Sequence, residues 1–344
     1  MSFLRSVFAA LLLATTAQAL SIEADPDFPA FKDFISKYGR RYATRSEVEG
    51  RFIIFKDNLK KIAARNELNG ARHGINQFAD IDADEFRAQR MGFQPTSLKL
   101  KRKPGLPRAT PINATAAKSK DWRNTGVLTP VKDQGQCGSC WAFSATEQLE
   151  SQYQQQFGSL IELSPQQLVS CDPNCGGCNG GNPINAWFYV NAFGGQETEK
   201  AYPYTSGTTQ ASGVCSANAK FDAEAIGADV GYYVSQSASD EGNILLAIQD
   251  SPLSIAVDAS TWSSYTGGVV SASSGCGSTL NHAVQLVGYN AEGNYYIVRN
   301  SWGTSWGNGG YIYVEAGHNV CGIAGQAAIT VPSKIASLHK ALRG

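Results

Sequence analysis

The sequence predicts an α+β protein: a mainly helical N-terminal segment, then a helical half and a β-rich half with a cleft between them. Residues 25–90 are charged, helical in period, poor in glycine and free of cysteine. Residues 139–157 contain no glycine or proline and space Trp141, Phe143, Ala145, Leu149 and Tyr153 as a helix would. Beyond about Phe221, short runs such as Ala283–Val287 and Tyr295–Val298 alternate with Gly and Asn turns, the pattern of strands.

The opening residues carry Arg5, the apolar run Val7–Leu13 and a small-residue stretch ending in Ala-Gln-Ala. Met1–Ala19 therefore reads as a signal peptide, which directs the chain into the secretory pathway, with a lysosome or vacuole or the extracellular space as destination. With 42% hydrophobic and 17% charged residues the composition is globular. No apolar run approaches the roughly 20 residues of a membrane helix, so no membrane association is expected. Eight cysteines in an exported chain favour disulfides over structural zinc. Asn113-Ala114-Thr115 is a candidate glycosylation site at Asn113.

The formal net charge of zero conceals an asymmetry. Residues 1–115 hold 19 Lys and Arg against 12 Asp and Glu, a net of +7; residues 116–344 hold 10 against 17, a net of −7. The two parts should attract. The basic run Leu98–Arg108 is broken by Pro and Gly and has no interleaved aromatics, so it reads as a protease-sensitive linker and not as a nucleic-acid site. Upstream of it, Glu47, Arg51, Phe55, Asn58, Ile62 and Asn66 recur every three or four residues and share one helical stripe.

The most specific string is Gln134-Gly135-Gln136-Cys137-Gly138-Ser139-Cys140-Trp141-Ala142-Phe143. Cys140 stands at a predicted helix start, where unpaired N–H groups and the helix dipole favour a thiolate, the reactive form of a cysteine nucleophile. His282 follows 142 residues later at the head of a predicted strand, and Asn300 lies at 160 residues, in Asn300-Ser301-Trp302-Gly303. A thiol, an imidazole base and an amide to orient it make a nucleophile, base and orienter set.

With these residues the chain resembles the papain-like cysteine proteases, more narrowly their cathepsin L-like branch, from about Phe28 to Val331. The six-residue stripe matches the family's E-R-F-N-I-N propeptide pattern, and Gly74-Ile75-Asn76-Gln77-Phe78-Ala79-Asp80 matches its G-x-N-x-F-x-D pattern. The resemblance implies a papain-like two-domain fold, a helical left domain and a β-barrel-like right domain, preceded by an inhibitory propeptide. The expected division is residues 1–19, leader; 20–115, propeptide, cut between about 104 and 117; and 116–344, peptidase, helical to about 220, with a basic tail at 332–344.

By the same resemblance, Cys140 attacks as a thiolate, His282 protonates the leaving amine, Gln134 supplies an oxyanion donor, and Asn300 holds the ring under Trp302. Gly180 and Gly181 would border the substrate strand. Asn182, Pro183, Ala256, Leu280 and Gln326 would line a specificity pocket suited to Leu, Val or Phe at the second position before the cut. The implied bridges are Cys137–Cys178, Cys171–Cys215 and Cys276–Cys321, leaving Cys175 over. Asn281 departs from the Asp that many relatives carry beside the histidine. No cathepsin B-like insertion falls between Cys178 and Cys215, which favours an endopeptidase.

The resemblance implies a monomer that acts on polypeptides, is inhibited by its own propeptide and needs no cofactor or metal. An exopeptidase of the same family and a catalytically silent binding homologue are the alternatives. A redox or metal reading of Cys137-x-x-Cys140, with Cys171, Cys175 and Cys178 as further ligands, lacks a preceding βαβ context.

Overall fold

The computed structural model describes residues 22–68, 70–96, 117–193, 195–216, 226–235 and 241–334. The leader, Asn113, residues 104–116 of the expected cleavage region and residues 335–344 lie outside the described residues. The chain divides into two compact units after Ile53.

In the first unit, α1 (Phe28–Tyr38) ends on Gly39, whose φ of 60° lets its N–H reach the Ile35 and Ser36 carbonyls. Phe31, fully buried, packs its ring 5.3 Å from Phe52 and 6.0 Å from Tyr42. Helix α2 (Arg45–Asn66) starts with a capping arrangement: the Glu47 N–H donates to Thr44 Oγ1 at 3.1 Å, and the Glu47 carboxylate accepts from Ala43 N at 2.7 Å.

The second unit begins within α2 and gives the polar residues of its stripe definite tasks. Asn58 Nδ2 donates to the Ala79 and Ile81 carbonyls, each at 2.9 Å. Asn66 bonds His73 in both directions, fixing β1 (Ala71–His73). Asp82 then caps α3 (Ala83–Arg90) by accepting from Asp84 N and Glu85 N. Further along come β2 (Lys120–Asp121), α4 (Cys140–Phe157), α5 (Pro165–Cys171), α6 (Pro183–Phe193) and α7 (Ser206–Thr209). The remainder is β3 (Ile226–Ser235), α8 (Glu241–Asp250), β4 (Leu253–Val257), β5 (Tyr265–Val270), β6 (His282–Asn290), β7 (Tyr295–Arg299), β8 (Tyr311–Glu315) and β9 (Gln326–Lys334).

The strands make one open sheet in the order β1-β5-β8-β7-β6-β4-β9-β3, with β2 paired to β6. Helix α4 packs on β6 and β9, where Ala283 and Ala328, with Ala256 of β4, present small side chains to it. One apolar core lies among the helices around Trp141, Leu149 and Trp187; the other fills the β-rich half around Trp262, Trp302 and Trp306. Three details bear on the expected halves and tail. Residues 117–127 join the β-rich core, because Trp122 buries there and its Nε1 donates to the Ile248 carbonyl. Helix α8 also lies in that half. The expected tail starts too early: Pro332, Ser333 and Lys334 continue β9, paired with Ala228, Gly227 and Ile226 of β3.

The bridges Cys137–Cys178, Cys171–Cys215 and Cys276–Cys321 form as the resemblance implies. They join residues 41, 44 and 45 apart, and in the chain-entropy account each stabilises by roughly 4 kcal/mol. Cys137, Cys171 and Cys178 are thereby removed as redox or metal ligands, and Cys140 and Cys175 remain as free thiols.

A buried ion pair ties α4 to the end of β7. Arg299 Nε lies 3.5 Å from Glu147 Oε2, with both side chains almost wholly buried. Burial outweighs this long contact and pushes Glu147 up to about 7. A carboxyl raised in the folded state contributes stability that is complete below its unfolded value, near 4.3, and is lost as pH rises through about 7. Glu147→Gln should therefore gain stability relative to its parent, by on the order of 2–3 kcal/mol, between pH 4.5 and 7.5. Urea unfolding of the two proteins at both pH values measures this; a pH-independent difference would reject the burial effect.

Candidate active site

Cys140 is the first residue of α4, with Ser139 at the cap position and the Cys137–Cys178 bridge beside it. Strand pairing brings its partners close. His282 opens β6 opposite Val257 of β4, and the antiparallel β6–β7 pair returns the chain so that Asn300, just past β7, faces the ring. His282 Nε2 and Asn300 Oδ1 are 2.8 Å apart. Ala283 N, one residue beyond the histidine, lies 3.5 Å from Cys140 Sγ. Cys140, His282, Asn300 and Gln134 are each fully buried. Trp302 lies over the imidazole at a centroid distance of 4.7 Å.

Gln134 is held from several sides. Ser301 Oγ donates to its Oε1 at 2.7 Å, which turns Nε2 toward the Cys137 carbonyl at 2.8 Å and the Arg90 carbonyl at 3.1 Å. Burial pushes Cys140 up to about 11 and His282 down to about 4, against smaller opposing effects of neighbouring hydrogen bonds. In this form burial disfavours the charged state of both groups.

The burial comes from the chain's own N-terminal part. Gly181 N donates to Gly92 O and Gln94 N donates to Gly181 O, each at 2.8 Å, and Phe93 N donates to Asn281 O at 3.0 Å. Phe93 and Gly181 pair in parallel. Gln94 Nε2 reaches the Asn179 carbonyl, and Asn182 Nδ2 reaches the Gln94 carbonyl. Arg90 contacts Asp133 at 3.3 Å, while Phe78 and Phe86 set their edges against Trp302 at 5.7 and 5.0 Å. Gly180 and Gly181 border this segment: a Cβ on Gly180 would come within 2.7 Å of Gly92 O, and one on Gly181 within 2.6 Å of Cys175 Sγ.

The expected pocket residues also converge. Asn182 and Gln326 form a reciprocal amide pair at 3.2 Å in each direction. Phe93 belongs to the same apolar cluster as Ala256, with Leu280 packed against it, and Pro183 starts α6 behind Asn182. Asn281 turns its side chain away to Asp258 Oδ1, Ser260 Oγ and Ala259 N. Ser301 and Tyr204, which touch Gln134, were missed from sequence. Ser301 is next to Asn300 and within reach of motif reading, but nothing local marks Tyr204, 70 residues from Gln134.

A buried thiol at a helix start, next to an amide-anchored imidazole, defines a thiol hydrolase, and the strand laid across it makes this form a precursor. Residues 116–331 match the profile of the papain family cysteine protease, and residues 31–86 that of the cathepsin propeptide inhibitor domain. The chain is 42% identical over 313 residues to thiol protease aleurain of Arabidopsis thaliana, covering 88% of this chain and 84% of that protein. Among solved structures it is similar to a recombinant stem bromelain precursor, at 34% identity and TM-score 0.74 over 90% of this chain and 99% of that one. It is likewise similar to digestive procathepsin L2 proteinase from Tenebrio molitor larval midgut, at 35% identity and TM-score 0.74 over 89% and 99%. The chain belongs to the papain family of cysteine proteases and carries the family's propeptide inhibitor domain.

Proposed function

We propose that the mature part is an endopeptidase that cleaves polypeptides through a thiolate–imidazolium pair and an acyl-enzyme. The observation that carries this reading is that the cleft beside Cys140 already holds a peptide, residues 90–94, by backbone bonds to Gly181 and Asn281. A groove that passes a chain across the thiol favours cleavage within polypeptides over trimming of their ends.

With the propeptide gone, Cys140 attacks the scissile carbonyl, forming the S–C bond as the C=O electrons move to oxygen. Gln134 Nε2 and the Cys140 N–H meet that oxyanion; loss of one such donor costs about 3–4 kcal/mol of transition-state stabilisation. His282 gives its proton to the departing amine as the C–N bond breaks, then takes one from the water that releases the acid product. Asn300 Oδ1 holds the ring through Nε2, and Trp302 keeps water off that bond. Phe93, clustered with Ala256 and Leu280, supports an apolar preference at the second position before the cut.

Maturation follows from charge. Acid protonates carboxylates on the −7 part and weakens its hold on the +7 part, so cleavage between about 104 and 117 releases residues 116–344 in an acidic compartment such as a lysosome or vacuole, or after secretion. Signal-peptide removal near Ala19, glycosylation at Asn113 and a monomeric product belong to the same reading. Among the described residues no helix is long and apolar enough to cross a membrane.

The test is a panel of peptide amides varied at the second residue before the cut, assayed after incubation at pH 4–5 with a reductant. Phe, Leu and Val should be taken best. Preference for Lys or Glu there, or no hydrolysis once the chain has shortened, would reject the assignment.

A further inference from the structure

We propose that Tyr204 is a positioning residue for oxyanion stabilisation, clamping the two ends of the Gln134–Ser139 loop; the proposal rests on the role given to Gln134 above. The Tyr204 hydroxyl donates to the Gln134 carbonyl at 2.7 Å and meets the Ser139 hydroxyl at 2.8 Å. Its single proton is committed to the carbonyl, so it accepts from Ser139. The two residues it joins adjoin the two donors: Gln134 bears the side-chain N–H, and Ser139 immediately precedes Cys140.

The clamp is itself rigid. The Tyr204 ring stands edge-on to Phe143 of α4 at 4.8 Å, and its backbone N–H donates to Glu199 Oε1 at 2.8 Å. Three residues on, Gly207 O accepts from Gln136 N at 2.8 Å, and a Cβ on Gly135 would come within 2.5 Å of Gly207. Ser301 sets the direction of the Gln134 amide, and Tyr204 sets the place of the loop that carries it. Oxyanion donors act only within a few tenths of an ångström of their ideal position, so freeing the loop weakens them without disturbing the thiol.

The experiment compares Tyr204→Phe, Ser139→Ala and Gln134→Ala with the parent, each matured from full-length precursor. It reads kcat and KM on a peptide amide, the Ki of a peptide aldehyde, and Cys140 alkylation by iodoacetamide. The aldehyde adduct forms an S–C bond and an oxyanion; alkylation displaces iodide and forms none. For Tyr204→Phe, kcat should fall and the aldehyde Ki rise, each about tenfold, with KM and alkylation unchanged. Unchanged aldehyde binding in Tyr204→Phe, where Gln134→Ala weakens it, overturns the proposal; so does a parallel loss of alkylation, the mark of a general structural role. If Tyr204→Phe does not mature, Ser139→Ala must show the same split to a smaller degree, and parental behaviour overturns the proposal. Unchanged aldehyde binding in Gln134→Ala overturns the reading of Gln134, and the proposal with it.

Discussion

Precursor carrying Cys140→Ala will stay full length in acid and hydrolyse no peptide amide, a fall of about 10^4-fold or more. The reason lies in how the site is built and not only in the family. Cys140 Sγ lies at the start of α4, with the Ala283 N–H directed at it and an imidazole anchored by Asn300 alongside. In the precursor residues 92–94 cover the thiol, and the burial pushes the thiol up and the imidazole down, which disfavours the charged pair. Departure of residues 90–94 admits water, removes the penalty on charge and leaves the helix start to favour a thiolate. Iodoacetamide should accordingly spare Cys140 in intact precursor at pH 7 and react once the chain has shortened. Parental turnover by Cys140→Ala would require another nucleophile, and the other free thiol among the described residues is the half-buried Cys175.

Gly92→Ala should break latency while leaving the mature enzyme untouched. A Cβ at Gly92 would lie 1.8 Å from the Gly138 carbonyl oxygen and 2.5 Å from its carbon, both backbone atoms two residues from Cys140. Those atoms have little room to yield, because Gly138 is pinned by its N–H to Cys178 O at 3.0 Å and by the adjacent disulfide. The propeptide strand must move instead. Overpacking of this kind costs about 1–3 kcal/mol, so inhibition should weaken roughly ten- to a hundredfold. Hydrolysis at pH 7 by precursor shown by mass to be uncut measures the effect; latency equal to the parent's would mean that the strand bears on the site without close contact at Gly92.

How much of this was legible in the sequence depended on how local each feature is. The helix at Cys140 announced itself through a run without Gly or Pro that stops at Gly158, where the observed φ of 73° accounts for the stop. The N-terminal stripe was legible as a helix face, but its spacing alone did not say that Asn58 and Asn66 reach out to hold neighbouring backbone. The proposed catalytic residues and the disulfides came from motifs and resemblance, which carry long-range information that composition lacks; the disulfides form as that resemblance implies. What stayed hidden depends on tertiary approach: the place of residues 117–127 in the β-rich core, the Glu147–Arg299 pair, and Tyr204. A glutamate seven residues into an amphipathic helix reads as solvated until Arg299 is seen beneath it.

One pairing changes meaning when the propeptide leaves. Strand β1 zips along β5 with Ala71 opposite Gly268 and His73 opposite Tyr265, so its loss bares a row of unpaired backbone donors and acceptors on the mature protein. Such an edge is a template for sticking to further chains. Here it is a poor one, because the register slips between Arg72 and His73 and Gly268, at φ 77°, departs from strand geometry. The β5 edge is thus matched to a single irregular partner from its own chain and is a poor template for any other strand.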